Sequence, residues 1–289
     1  MRIPDPEPMP MISLASSPVS SLASSPAVPW SQAQVPVLEA RSLTLDYPGP
    51  DGPARAVTDV SFRVASGERL VLLGPSGCGK SSILKALAGF LRPAGGAVEI
   101  RGKAISGPGP DRIVVFQEFD QLLPWKSVRD NVAFPLRVAR KLGVKEARAR
   151  AERALRRVGL GRALDAYPHT LSGGMKQRAA IARALAAEPD VLLMDEPFAA
   201  LDALTRRTLQ EDLLALAQEQ GFTLVFVTHA IDEAVLLGTQ LHLLAAHPGR
   251  TIATFDTSGL GLAERGTPPF EDVVRHVHDL LFADGARHV

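Results

Sequence analysis

The chain has 289 residues, 46% of them hydrophobic, enough for one large domain or two small ones with a full apolar core. Its 32 lysines and arginines nearly balance 31 aspartates and glutamates at a net charge of +1, so no overall field draws it to nucleic acid or to an anionic membrane surface. A single cysteine, Cys78, excludes an internal disulfide and a cysteine-rich zinc site, and the apolar runs at 191–194 and 241–246 fall far short of the roughly 20 residues a spanning helix needs.

Residues 1–35 repeat Ser-Ser-Pro among other prolines, which breaks helices and leaves little apolar surface to bury, so they are expected to form a disordered tail. Pro4, Asp5, Pro6, Glu7 and Pro8 stand where a secretory signal would need its basic start and apolar run. From Val37 the texture changes to β-rich runs at 37–46, 56–64 and 69–73, divided by Pro/Gly clusters that read as turns. A helix is predicted over 80–88, closed by Gly89, and further strands over 97–101 and 112–117. The middle reads as a helical insert. Within it, 145–158 places Ala147, Ala151, Ala154, Leu155 and Val158 on one face with arginines opposite. Beyond Ser172 the order is helix 175–187, strand 191–194, helix 203–220 ended by Gly221, strand 223–227 and helix 231–237. Apolar strands alternating with helices imply an α/β fold whose mainly parallel sheet is covered on both faces.

A phosphate-loop pattern, Gly74-Pro75-Ser76-Gly77-Cys78-Gly79-Lys80-Ser81-Ser82, sits where it must, between the strand 69–73 and a helix. Its glycines let backbone N–H groups converge on phosphate oxygens, Lys80 reaches the β- and γ-phosphates, and Ser81 offers a hydroxyl to Mg²⁺. At 191–197 an apolar strand runs into Asp195 and Glu196. Alone, such a pair is the start of a solvated helix; after a phosphate loop, Asp195 suits a metal and Glu196 a general base that orients the attacking water. The run Leu171-Ser172-Gly173-Gly174-Met175 opens another helix, which taken alone is a capped helix start and taken with the rest is a second anion site.

In this order the phosphate loop, Gln117, residues 171–174, Asp195-Glu196, Ala200-Leu201-Asp202 and His229 resemble the full motif set of ABC ATPases, over roughly residues 37–255. The resemblance implies a P-loop NTPase of ABC type: a mixed, mainly parallel sheet core, an N-terminal antiparallel β region and an inserted α-helical subdomain at about 118–178. The nucleotide-binding domain would span 36–258, and a helical tail would span 259–289. It implies ATP and Mg²⁺ as cofactors, with ATP held between the phosphate loop of one subunit and the Ser172-Gly173-Gly174 segment of a second copy, and Asp202 among the ATP-binding residues. Gln117 would touch Mg²⁺ and the attacking water, His229 would contact the γ-phosphate and Glu196, and Tyr47 would stack on adenine.

Residues 115–134 and the run His247-Pro248-Gly249-Arg250 resemble the ATPases of bacterial importers for nitrate, sulfonates and taurine. That likeness implies membrane permease subunits and, indirectly, a solute-binding protein as partners, at the cytoplasmic face of the inner membrane. The rival readings are an exporter ATPase and a soluble ABC protein of DNA repair or translation. Proteins of the last kind usually carry two ATPase units, long coiled coils or zinc-binding cysteines, none of which is present in this chain. Two departures stand out: Met175 where the family commonly has glutamine, and Ala199 where it often has serine. Cys78, beside Lys80 at a helix start, is expected to have some thiolate character.

Overall fold

The computed structural model describes residues 36–285 apart from 51 and 118–120, so the tail expected over 1–35 lies outside the described residues. Its frame is set by short strands whose apolar side chains alternate between two faces. In β3 (Arg69–Leu73), Leu70 and Leu72 join one apolar core while Val71 and Leu73 join another. The same split divides Val191 and Leu193 from Leu192 and Met194, and Val225 and Val227 from Leu224 and Phe226. Strands buried on both faces need cover on both, and the chain supplies it from two sources.

On one side lies an antiparallel sheet in the order β2-β1-β4-β5, formed by β1 (Leu38–Tyr47), β2 (Ala54–Val64), β4 (Gly95–Ile100) and β5 (Lys103–Ala104), with α1 (Lys80–Ala88) packed between the layers. On the other side are α5 (Ala203–Gln220), α6 (Ile231–Leu237) and α7 (Pro268–Gly285). The central sheet runs β10-β9-β3-β8-β7-β6, where β6 is Arg112–Val115, β7 Val191–Asp195, β8 Thr223–Thr228, β9 Gln240–Ala245 and β10 Arg250–Asp256. Every pairing in it is parallel except β10 with β9. The α/β class and the mixed, mainly parallel sheet are therefore as expected.

Two of the differences from the sequence reading have a visible cause. The strand expected over 112–117 stops at Val115, because the Gln121 side chain takes both backbone groups of Phe116: its Nε2 donates to Phe116 O at 2.9 Å and its Oε1 accepts from Phe116 N at 3.4 Å. The helix expected from Met175 begins two residues earlier, since α4 (Gly173–Ala186) is capped by Ser172, whose Oγ accepts from Met175 N.

Between β6 and β7 the chain builds a third core. Val128, Val132 and Leu136 of α2 (Val128–Val138), Ala147, Ala151 and Leu155 of α3 (Val144–Arg157), and Ala179, Ala182 and Ala186 of α4 are buried together. Small alanines let the three helices close on one another. The approach to α2 is pinned by buried Asn131, which accepts from Leu123 N at 2.7 Å and donates to the carbonyls of Leu123 and Lys126, each at 3.0 Å.

His242 of β9 is fully enclosed, its ring edge-on to Phe62 at 5.6 Å between centroids, and neither ring nitrogen has a hydrogen-bond partner. Burial drives its pKa from 6.5 down to about 4. The unfolded chain therefore takes up this proton first. The contribution of neutral His242 is complete above pH 6.5 and is lost as pH falls from 6.5 to about 4. A difference of this size is worth about 3 kcal/mol. His242→Leu, which removes the unpaired polar atoms, should unfold in urea with a correspondingly shallower loss of stability over that interval. Parallel pH curves for the two proteins would contradict the assignment.

Candidate nucleotide site

Strand register brings the expected site segments to one edge. Leu73 pairs with Thr228, Val227 with Asp195, and Met194 with Val115, so β3, β8, β7 and β6 end nearly level. The residues that follow them are the phosphate loop, His229, Glu196 and Gln117. All therefore leave the sheet at its carboxyl edge, where open α/β sheets bind ligands.

The phosphate loop closes on itself. Lys80 is nearly buried, and its Nζ donates to the carbonyls of Gly74 at 2.8 Å and Pro75 at 2.9 Å, an arrangement that holds the ammonium over the loop it would share with a phosphate. Gly79 precedes α1 with φ 86°, and a Cβ there would meet Val57 Cγ2 at 2.5 Å, so both conformation and space require glycine. No side chain caps α1, which leaves its first amides to an anion.

Around this loop stand the polar side chains. Ser81 Oγ donates to Asp195 Oδ1 at 3.1 Å, joining the start of α1 to the end of β7. Burial pushes the Asp195 carboxyl up, while the Ser81 hydroxyl draws it down. A hydroxyl and a carboxylate side by side are the hard oxygen donors that Mg²⁺ takes when it also binds phosphate, so the residues present fit that ion. Tyr47 Oη donates to Ser82 Oγ at 3.1 Å, which sets the ring at the rim of the same loop. Glu196 has a left-handed backbone, φ 44°, uncommon for a residue with a side chain, and its N donates to Val227 O at 3.0 Å. This turn separates it from Asp195 and brings its Oε2 to 3.1 Å from His229 Nδ1. Gln117 is exposed two residues beyond β6.

A family model described as ABC transporter matches residues 57–199. The taurine import ATP-binding protein TauB of Rhizobium johnstonii is 52% identical over 236 residues, 78% of this chain and 88% of that protein. The chain belongs to the ABC transporter ATP-binding proteins. The nitrate import ATP-binding protein NrtD of Synechococcus elongatus is 47% identical over 207 residues, 71% of this chain and 75% of that one. The structure of cbiO1 from Clostridium perfringens, part of the ABC transporter complex cbiONQ, superimposes with a TM-score of 0.70 at 30% identity and covers 89% of this chain and 100% of that one. This ABC protein accordingly binds ATP and hydrolyses it to power transport.

The remaining candidates occupy different ground. Ser172, Gly173 and Gly174 open α4, which packs on α2, α3, α5 and β6. Gly174 has a structural reason of its own, since a Cβ there would meet Thr205 Cγ2 at 2.6 Å where α4 crosses α5. Ser172 is exposed. Asp202 caps α5, accepting from Thr205 N at 3.0 Å, and that backbone bond holds its carboxyl below the usual range.

Cys78 overturns one expectation. Its side chain is wholly enclosed, and burial pushes the thiol up despite Lys80 Nζ at 3.7 Å from Sγ. Position in the loop suggested a thiolate; packing under the loop decides otherwise. In the folded protein a water-soluble maleimide at neutral pH should label Cys78 far more slowly than in the urea-unfolded chain and leave ATP hydrolysis unchanged. Rapid native labelling would contradict this.

Sequence patterns missed the polar residues behind the site. Arg206, Gln210, Thr228 and Glu233 line one cleft with Glu196 and His229. Glu233 is nearly buried, yet in a helix of seven residues with Asp232 and Glu233 in its first turn it reads as an acidic helix start, so periodicity gave no sign of it.

Proposed function

We propose that the chain is the ATPase of an importer for a small oxyanion or organosulfonate, acting as a homodimer with two ATP and Mg²⁺ between its copies. It would dock on permease subunits at the cytoplasmic face of the membrane and respond to a solute-binding protein outside. Residues 36–258 would be the nucleotide-binding domain with its helical subdomain at about 118–178, and 259–289 a helical tail. The observation that carries the chemistry is the Glu196–His229 contact beside the Ser81–Asp195 pair at the sheet's carboxyl edge.

In this reading Lys80 and the loop amides hold the β- and γ-phosphates, and Tyr47 stacks on adenine. Ser81, Asp195 and Gln117 hold Mg²⁺, which when bound offsets phosphate charge. Glu196 orients a water whose oxygen attacks the γ-phosphorus; the bond to the bridging oxygen breaks, ADP leaves, and the water's proton passes to the carboxylate. His229 fixes that carboxylate. Ser172, Gly173 and Gly174 at the start of α4, with Asp202, close the site on the partner's ATP.

The similarity to taurine and nitrate import proteins supports the importer and the solute class. Docking on a permease is supported by Trp125, Phe134, Val138 and Val144, large apolar side chains exposed on and around α2. Among the described residues no helix is long and apolar enough to cross a membrane. The test is reconstitution in vesicles with the permease and solute-binding protein encoded beside it. ATP hydrolysis should rise when the binding protein carries a small oxyanion or sulfonate, and solute should move inward. Outward movement, or a response indifferent to the binding protein, would refute the reading.

A further inference from the structure

α5 turns two polar side chains toward the cleft of about 270 Å³ beside Glu196. Arg206 and Gln210 are one helical turn apart, and each secures one wall. Arg206 donates from Nε to Phe198 O at 3.2 Å and from Nη2 to Leu201 O at 3.0 Å, fixing the segment that follows Glu196. Gln210 Nε2 donates to Glu233 Oε1 at 2.8 Å, and Glu233 Oε2 accepts from the Thr228 hydroxyl. Thr228 Oγ1 in turn accepts from Ala230 N at 3.1 Å. The chain of bonds from α5 thus spans His229 on both sides, one residue before it and one after.

Gln210, Thr228 and Glu233 are all at least nine-tenths buried, so water does not substitute for these bonds. A carboxyl group here is costly: its neighbours Ala234, Val235, Leu236 and Leu237 form apolar core, and burial pushes Glu233 up while Thr228 and Gln210 draw it down. Filling the space would need no acid. Holding Thr228 so that its hydroxyl donates inward and accepts from Ala230 does need an acceptor at this point. We propose that Glu233 is a positioning residue for ATP hydrolysis, holding through Thr228 the turn that sets His229 against Glu196. This rests on the roles given above to Glu196 and His229.

The test compares Glu233→Ala, Thr228→Val, Glu233→Gln and Glu196→Gln in the full chain, measuring kcat and KM for MgATP and the Kd for a fluorescent trinitrophenyl ATP. Glu233→Ala and Thr228→Val should bind the analogue within about twofold of the parent, keep KM, and lose kcat roughly 10- to 100-fold, the scale of a displaced catalytic group. Thr228→Val keeps the branched shape of a buried strand residue and so reports the relay even if Glu233→Ala fails to fold. Glu233→Gln should recover most of the lost kcat, because its amide oxygen accepts from Thr228 while Gln210 turns its own oxygen toward the new NH₂. If Glu196→Gln is inactive but Thr228→Val turns over at the parental rate, the positioning role is overturned. Equal impairment of Glu233→Gln and Glu233→Ala would overturn it too. Parental turnover by Glu196→Gln would instead remove the role of Glu196 itself.

Discussion

Glu196→Gln should bind ATP with parental affinity and hydrolyse it roughly 10²- to 10⁴-fold more slowly, the usual contribution of a general base. The substitution keeps the shape of the side chain and its hydrogen bond to His229, and removes only the capacity to take a proton. The left-handed backbone at Glu196 is set by Val227 O and by the turn into Phe198, not by the carboxylate, so the fold should not change. ATP-bound dimers should therefore accumulate, visible as a doubled mass in light scattering that reverses when Mg²⁺ and ATP are withdrawn. Turnover at the parental rate would assign the base elsewhere.

How far the sequence carried depended on whether a feature was local. Gly89 and Gly221 close α1 and α5 with left-handed caps, and both helix ends were legible because a glycine at that spot has one physical use. The phosphate loop was legible for the same reason. By contrast α2 contains Pro135, which in a sequence argues against a helix interior, and its start is fixed by the Ser127 cap and by the bonds of Asn131, within the helix, back to Leu123 and Lys126. β9 and β10 went unassigned: β10 is an edge strand of mixed exposure, and β9 carries His242 in the middle of an apolar run. Cys78 was misjudged because sequence shows neighbours along the chain and not the packing above them. The relay from Gln210 to Glu233 and Thr228 joins three elements separated by up to 23 residues, and no local pattern reports it.

Lys80→Ala and Ser172→Arg should each abolish hydrolysis, but by different routes. Removing Lys80 takes away the one ammonium enclosed by the loop, so ATP binding itself should fall. Ser172 is exposed at the start of α4, and in the proposed dimer it faces the partner's ATP and not its own, so Ser172→Arg should bind ATP normally and lose turnover. Among the described residues its side chain makes one hydrogen bond, the cap at Met175, worth about 1 kcal/mol, and a thermal melt separates that loss from a general failure to fold.

These two inactive proteins make the decisive comparison when mixed. If ATP lies between the phosphate loop of one copy and the α4 start of the other, a mixed dimer collects both lesions in one site and leaves the opposite site whole. Random pairing makes about half of all dimers mixed, each with one working site of two, so the mixture should recover up to about a quarter of parental phosphate release if sites act independently. The measurement is steady-state phosphate release from each variant and from the co-refolded mixture, with mixed dimers verified by differential tags. Recovery would exclude a site completed within one chain, because neither chain alone holds a working set. Mixed dimers that form and hydrolyse nothing would contradict two independent composite sites.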